Sequence, residues 1–223
     1  MSSRDQLYPY ADGQQHQGKA TKDIFQDIYQ HNSWNIKTYD SVSGEGSNAV
    51  QTQTLRNELP LLLSALNIQT LLDIPCGDFH WMQQVNLGSI YYVGADIVSQ
   101  IVENNEKLYT SEKRAFVVAD LTKDQLPKAD LIFCRDCLVH LSFKDILSAM
   151  DNIKSSGATY LMTTQFPEEN FNKDIVTGGW RPLNLCLPPF NFPKPDQTLN
   201  ENCSEMDGAF RDKSMALWRI SNI

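Results

Sequence analysis

The chain has 223 residues, enough to bury one full core and little more. Hydrophobic residues make up 41% and charged residues 21%, an ordinary globular mixture that argues against extended disorder. A formal charge of −8 sets the surface as a whole against phosphate backbones and anionic lipid head groups, so nucleic acid and membrane are poor candidates for partners.

Residues 1–22 are polar and lack an apolar period, and are expected to form a flexible arm preceding a single domain over 23–223. No apolar run suits a signal peptide or the roughly 20 residues of a membrane span. The five cysteines (76, 134, 137, 186 and 203) have no framework spacing, which fits reduced thiols in the cytoplasm.

Residues 23–31 carry Ile24, Phe25, Ile28 and Tyr29 on one helical face, with Trp34 shortly after. Together with SVSGEGS at 41–47, a turn-rich loop with two glycines, this segment to residue 58 reads as a helical cap followed by a loop. Leu55, Leu59, Leu62, Leu63 and Leu66 repeat helically over 51–66, where Pro60 is expected to kink or divide the helix.

A core over 59–165 then alternates apolar strands and amphipathic helices. Strands are predicted at 70–74, 91–97, 115–121, 129–134 and 158–164, a short helix through Trp81, and helices at 98–109 and 142–154, the last opened by a Ser142/Asp145 capping box. This order predicts an α/β fold with a doubly wound, mostly parallel sheet. Residues 166–213 are proline-rich and without clear period, as an acceptor loop would be, and SMALWRI at 214–220 reads as a late strand.

The chemistry lies at the strand ends. TLLDIPCGD sets Asp73 at the tip of a buried strand, followed by a turn at Cys76-Gly77-Asp78, where glycine lets a ligand approach the backbone. One glycine between two acids repels a pyrophosphate but suits an ammonium or sulfonium. Nineteen residues after Gly77, Asp96 is placed to accept both hydrogen bonds of a ribose diol, and Asp120 or its neighbouring amide to hold an adenine amino group. With Arg135-Asp136 after the fourth strand, these acids line one crevice at the carboxyl edge of the sheet.

LLDIPCGD, ADI, ADLTKDQLP and ADLIFCRDCLVHL, in that order, resemble the successive motifs of class I S-adenosylmethionine-dependent methyltransferases, over roughly residues 55–165. Pro75-Cys76-Gly77-Asp78 replaces the family's usual glycine-rich loop. That variant, with W…SVSGxGS ahead of it, is similar to a bacterial subgroup of small methyltransferases. The resemblance implies a Rossmann-like class I domain that binds S-adenosylmethionine through Trp34, Ser43, Gly46 and Ser47, through Asp73, Pro75, Cys76, Gly77, Asp78 and Trp81, and through Asp96, Ile97, Asp120, Leu121 and Arg135. Trp34 and residues 43–47 would close over its methionine end, although SVSGEGS read by itself is equally a surface linker.

Methyl transfer from a sulfonium needs alignment and dryness rather than a metal, and no clustered ligand set is present in the sequence. His140 or Asp136 is the candidate base for an acceptor that must lose a proton, although a histidine at that point can also simply pack at a helix start. Trp180, Arg181, Asn184 and Phe190 are the candidate grip on the acceptor, a small molecule or sugar unit; loop packing is the competing use for Trp180 and Phe190. Nothing in the sequence indicates an oligomer. A short NAD-dependent oxidoreductase, or a non-catalytic cofactor-binding subunit, are the alternatives, the first wanting a glycine-rich turn that the sequence lacks.

Overall fold

The computed structural model describes residues 12–34 and 41–223. Helix α1 (Thr21–Gln30) buries Ile24 and Ile28, and α2 (Gln53–Ala65) buries Leu55, Leu59 and Leu63, the i, i+4 spacing that stacks side chains on one helical face. The latter runs as one element across Pro60, because the fully buried Leu59 and Leu63 on either side are held by the core.

There follow β1 (Thr70–Asp73), β2 (Tyr91–Asp96), α3 (Ser99–Tyr109), β3 (Arg114–Val118), β4 (Leu131–Cys134), α4 (Phe143–Ser155), β5 (Tyr160–Gln165), β6 (Gln197–Asn200) and β7 (Ser214–Arg219). They form one seven-stranded sheet in the order β3-β2-β1-β4-β5-β7-β6. The first five strands of that order are parallel, and β7 runs antiparallel to both its neighbours.

Alternation along the strands divides the core between the two faces. Leu72, Ile132 and Cys134 pack with Ile146, Ala149, Met150 and Ile153 of α4, whereas Leu71, Leu131 and Phe133 pack with the leucines of α2 and Val102 of α3. Helices thus cover both faces, as a doubly wound sheet requires. Among the described residues no helix is long and apolar enough to cross a membrane.

Several boundaries differ from the sequence expectation for local reasons. No helix runs through Trp81: Gly77 and Phe79 both take positive φ, and Asp78 accepts the backbone N–H of His80, giving a turn and then a 3-10 turn at Met82–Gln84. Likewise β4 starts late because Asp130 is spent on capping, accepting from Gln69 N, Thr70 N and Thr70 Oγ1. Strand β3 ends at Val118, before Asp120. The edge strand β6, absent from the expectation, lies inside the proline-rich segment. Of the expected arm, residues 12–22 belong to the fold, with Val176 N donating to Asp12 O at 2.9 Å and Gly13 buried; residues 1–11 lie outside the described residues.

Strand order reverses between β1, which continues into β2 and β3, and β4, which continues into β5. A crevice forms at such a point, outside the carboxyl ends of the strands.

Candidate active site

The crevice at that reversal encloses about 1160 Å³, its open mouth included. Its floor is the turn after β1. A cis Ile74–Pro75 bond leads in, Cys76 N donates to Ala95 O at 2.8 Å, and Gly77 N donates to Asp96 Oδ2 at 3.1 Å. Asn105 of α3 completes the turn by donating to Gly77 O at 2.7 Å. Gly77 has φ 54°, and a Cβ there would fall 2.3 Å from Ser43 Oγ, so a side chain is barred on both counts.

Two buried carboxyls face this space. Burial raises Asp73 to about 7, against the Tyr92 hydroxyl that donates to it at 2.6 Å, with Asp96 adding to the rise. Burial likewise raises Asp96 to about 6, although Val98 N and Gly77 N both donate to it. Among the described residues neither has a cation within ion-pair distance. Carboxyls buried without a cation favour a ligand that brings positive charge or hydroxyl donors. S-adenosylmethionine brings an ammonium, a sulfonium and a ribose diol, which suit these carboxyl acceptors.

The loop at 41–47 is docked on the turn rather than serving as a surface linker. Asp78 accepts from Ser41 Oγ at 3.1 Å, Val42 N at 2.8 Å and Ser43 Oγ at 3.2 Å, and its own N–H donates to Ser43 Oγ at 3.0 Å. From the other side, Arg135 Nη2 donates to Gly46 O at 2.9 Å. Ser43 and Ser47 line the crevice; Gly46 does not and serves through its carbonyl.

Arg135 belongs to a buried ion cluster that sequence reasoning missed. Its guanidinium pairs with Glu201 at 2.7 Å and Asp136 at 3.3 Å, and Lys213 pairs with Asp136 at 2.7 Å. Burial alone would raise the Asp136 carboxyl, but Lys213 and Arg135 more than reverse that and hold it well below the usual carboxylate range. Asp136 is therefore a poor proton acceptor, contrary to its candidacy as base.

His140 lines the crevice beside it, stacked on Trp34 with centroids 4.6 Å apart. Its Nδ1 lies 2.8 Å from Gly179 O. A carbonyl only accepts, so Nδ1 carries the proton and Nε2 is the bare nitrogen. Burial lowers the ring to about 4, opposed by the Gly179 bond and Asp136, and it is neutral at neutral pH.

Trp180, Arg181, Asn184 and Phe190, expected to grip the acceptor, do not line this crevice. Arg181 donates to the carbonyls of Leu138, Leu141 and Lys173, which answers its burial without a ligand. Asn184 accepts from Gln165 and donates to Glu169 O, Trp180 packs edge-on against Phe166 and Phe210, and Phe190 against Phe143. The crevice instead recruits Phe25, Ile28 and Tyr29 of α1.

The remaining expected residues, Trp34, Pro75, Cys76, Trp81, Ile97, Asp120 and Leu121, all line the crevice. Asp120 does so with its Oδ1 taken by Thr122 N and Thr122 Oγ1, at 2.9 and 2.6 Å, leaving less for a ligand than its strand-end position implies. All five cysteines are free, and among the described residues no group of acidic, histidine and cysteine side chains could hold a metal ion.

The sequence matches no protein-family profile and no curated protein. Solved structures share the fold. Human N-acetylserotonin methyltransferase in complex with S-adenosylmethionine superposes with a TM-score of 0.60 at 14% identity, covering 91% of this chain. This chain spans only 60% of the length of that enzyme. The N-methyltransferase NodS from Bradyrhizobium japonicum gives 0.54 at 15% identity, over 76% of this chain and 93% of that one. Magnesium protoporphyrin IX methyltransferase from Synechocystis, with bound S-adenosylmethionine, gives 0.52 at 16%, over 71% and 82%. The architecture is the Rossmann-like fold of class I methyltransferases.

Proposed function

We propose that the protein is an S-adenosylmethionine-dependent methyltransferase acting on an oxygen or nitrogen of a small molecule or sugar unit. The reading rests above all on the paired buried carboxyls, Asp73 and Asp96, on either side of the Gly77 turn and beneath a serine loop docked by Asp78. When bound, the cofactor supplies an electrophilic methyl group on sulfur for in-line displacement.

With the cofactor bound, Asp96 would accept from the ribose hydroxyls while continuing to hold Gly77 N and Val98 N. Asp73 would then receive the ammonium, and Asp120, Leu121 and Ile97 would border the base. Trp34, Ser43 and Ser47 close the crevice and keep water from the reacting atoms, an exclusion that strengthens every charge interaction inside. Arg135 acts at one remove, holding Gly46 and so the loop. Nε2 of His140 takes the proton that an oxygen or nitrogen acceptor loses, since its partner nitrogen is committed to Gly179 O. Asp136 keeps its negative charge throughout and orients rather than accepts.

The test is calorimetric binding of S-adenosylhomocysteine. Asp96→Ala should weaken it by about 2–4 kcal/mol, the loss of charge-assisted hydrogen bonds each worth about 1.5–3 kcal/mol. Asp96→Asn, which keeps an acceptor for Gly77 N, guards against simple collapse of the turn and should still bind more weakly. Wild-type affinity in a folded Asp96→Ala protein would overturn the assignment.

A further inference from the structure

The wall of the crevice has a lopsided composition. Five carboxyl groups line it (Asp73, Asp78, Asp96, Asp120 and Asp136), and among its described residues Arg135 is the one permanent cation. That guanidinium is spent: Nε and Nη2 are on Glu201, Nη2 is also on Gly46 O, and Nη1 faces Asp136 at 3.3 Å. Lys213, behind Asp136, is buried and consumed by Asp136 and Glu201. The cofactor's carboxylate arrives with its own ammonium beside it, but an anionic group on the acceptor loses its water here and meets no unpaired cation among the described residues, which disfavours it as an uncompensated charge. The remaining lining residues near the proton acceptor are flat or apolar. Phe25 packs edge-on to Trp34 with centroids 6.0 Å apart, Trp34 stacks on His140, and Ile28, Tyr29 and Leu141 also line the space.

We infer that the acceptor is an uncharged molecule built on a flat apolar ring system, that it offers a hydroxyl or un-ionised amine to His140, and that phosphorylated or carboxylated compounds are turned away. This rests on the methyltransferase reading and narrows it. Ring faces gain from offset or edge-on contact with Trp34 and Phe25, at about 0.5–1.5 kcal/mol per pair beyond burial. Nucleotides, sugar phosphates and nucleic acid fall in the excluded class.

The test uses the full chain saturated with S-adenosylhomocysteine and two ligands of one shape, a naphthol and the matching hydroxynaphthoate, in equilibrium dialysis. The naphthol should bind at least about tenfold more tightly, a factor of ten in the equilibrium constant. Tyr29→Lys adds an ammonium to the wall and should narrow that ratio; circular dichroism checks its folding. Equal or tighter binding of the hydroxynaphthoate by wild type, or no binding of the naphthol, overturns the acceptor class while leaving the cofactor site standing. An unchanged ratio in folded Tyr29→Lys also counts against it. Failure of S-adenosylhomocysteine itself to bind overturns the underlying reading, and this acceptor class with it.

Discussion

Asp73 carries a consequence for stability that can be separated from any activity. The folded protein keeps a proton on this carboxyl up to about 7, whereas an unfolded chain releases it near the ordinary 3.8. Between those values the folded state binds more protons, so this group costs stability as pH rises from about 4 to about 7. Asp73→Asn removes the titration and leaves an acceptor for the Tyr92 hydroxyl. In thermal scans without ligand, the melting temperature of the variant should exceed that of wild type by more at about pH 8 than at about pH 5. His140 works in the opposite sense, since its lowered value withdraws stability as pH falls toward about 4, which is why the comparison has to be variant against wild type at each pH. The acids at the strand tips were legible in the sequence because they recur at the ends of apolar runs. Their protonation was not, because it depends on how deeply the crevice is closed and on there being no cation within ion-pair distance among the described residues.

At the scale of elements, the segment at 172–181 is a scaffold for the turn bearing His140. Gly178 N donates to His140 O at 2.8 Å, Arg181 N to Val139 O at 3.1 Å, Ser142 N to Thr177 Oγ1 at 2.9 Å and Phe143 N to Asp174 Oδ1 at 2.7 Å. Thr177 Oγ1 donates in turn to Asp145. Arg181→Met should strand the Leu138 and Leu141 carbonyls, at about 1–3 kcal/mol each, seen as a lower denaturation midpoint. S-adenosylhomocysteine affinity should change little, and turnover should fall through kcat rather than KM. The sequence could announce that burying Arg181 needed a reason, but not that the reason was a set of backbone carbonyls. Helix α1 was legible as amphipathic for the same apolar period that lets it line the crevice; packing and lining leave the same pattern. Edge strand β6 was not legible, because only Leu199 among its four residues is partly buried.

Across the whole molecule, the ion cluster joins chain segments that are far apart: Arg135 and Glu201 are 66 positions apart, Asp136 and Lys213 77. No local pattern encodes such a pairing, whereas the apolar runs of the five parallel strands and of β7 are local and were readable, the helix expected between β1 and β2 and the edge strand β6 being the exceptions. Glu201 is 2% exposed and supports Arg135, so Glu201→Ala leaves a buried guanidinium partly unpaired. The expected loss is about 3–5 kcal/mol in a denaturant melt, the usual cost of breaking a buried pair on one side. Because Arg135 also holds Gly46 O, affinity for S-adenosylhomocysteine should fall in the same variant although Glu201 does not line the crevice.

The division of labour between α1 and the proline-rich segment bears on how this scaffold can diversify. A segment that holds the histidine turn at four points, two through backbone N–H groups and two through the side chains of Thr177 and Asp174, tolerates little drift, since each change reaches His140. The crevice-lining side chains Phe25 and Tyr29 of α1 are only half-buried. Under the proposed function, acceptor range would change most readily through Phe25 and Tyr29, whereas grafting a foreign 172–192 segment would disturb the turn bearing His140 before it altered the choice.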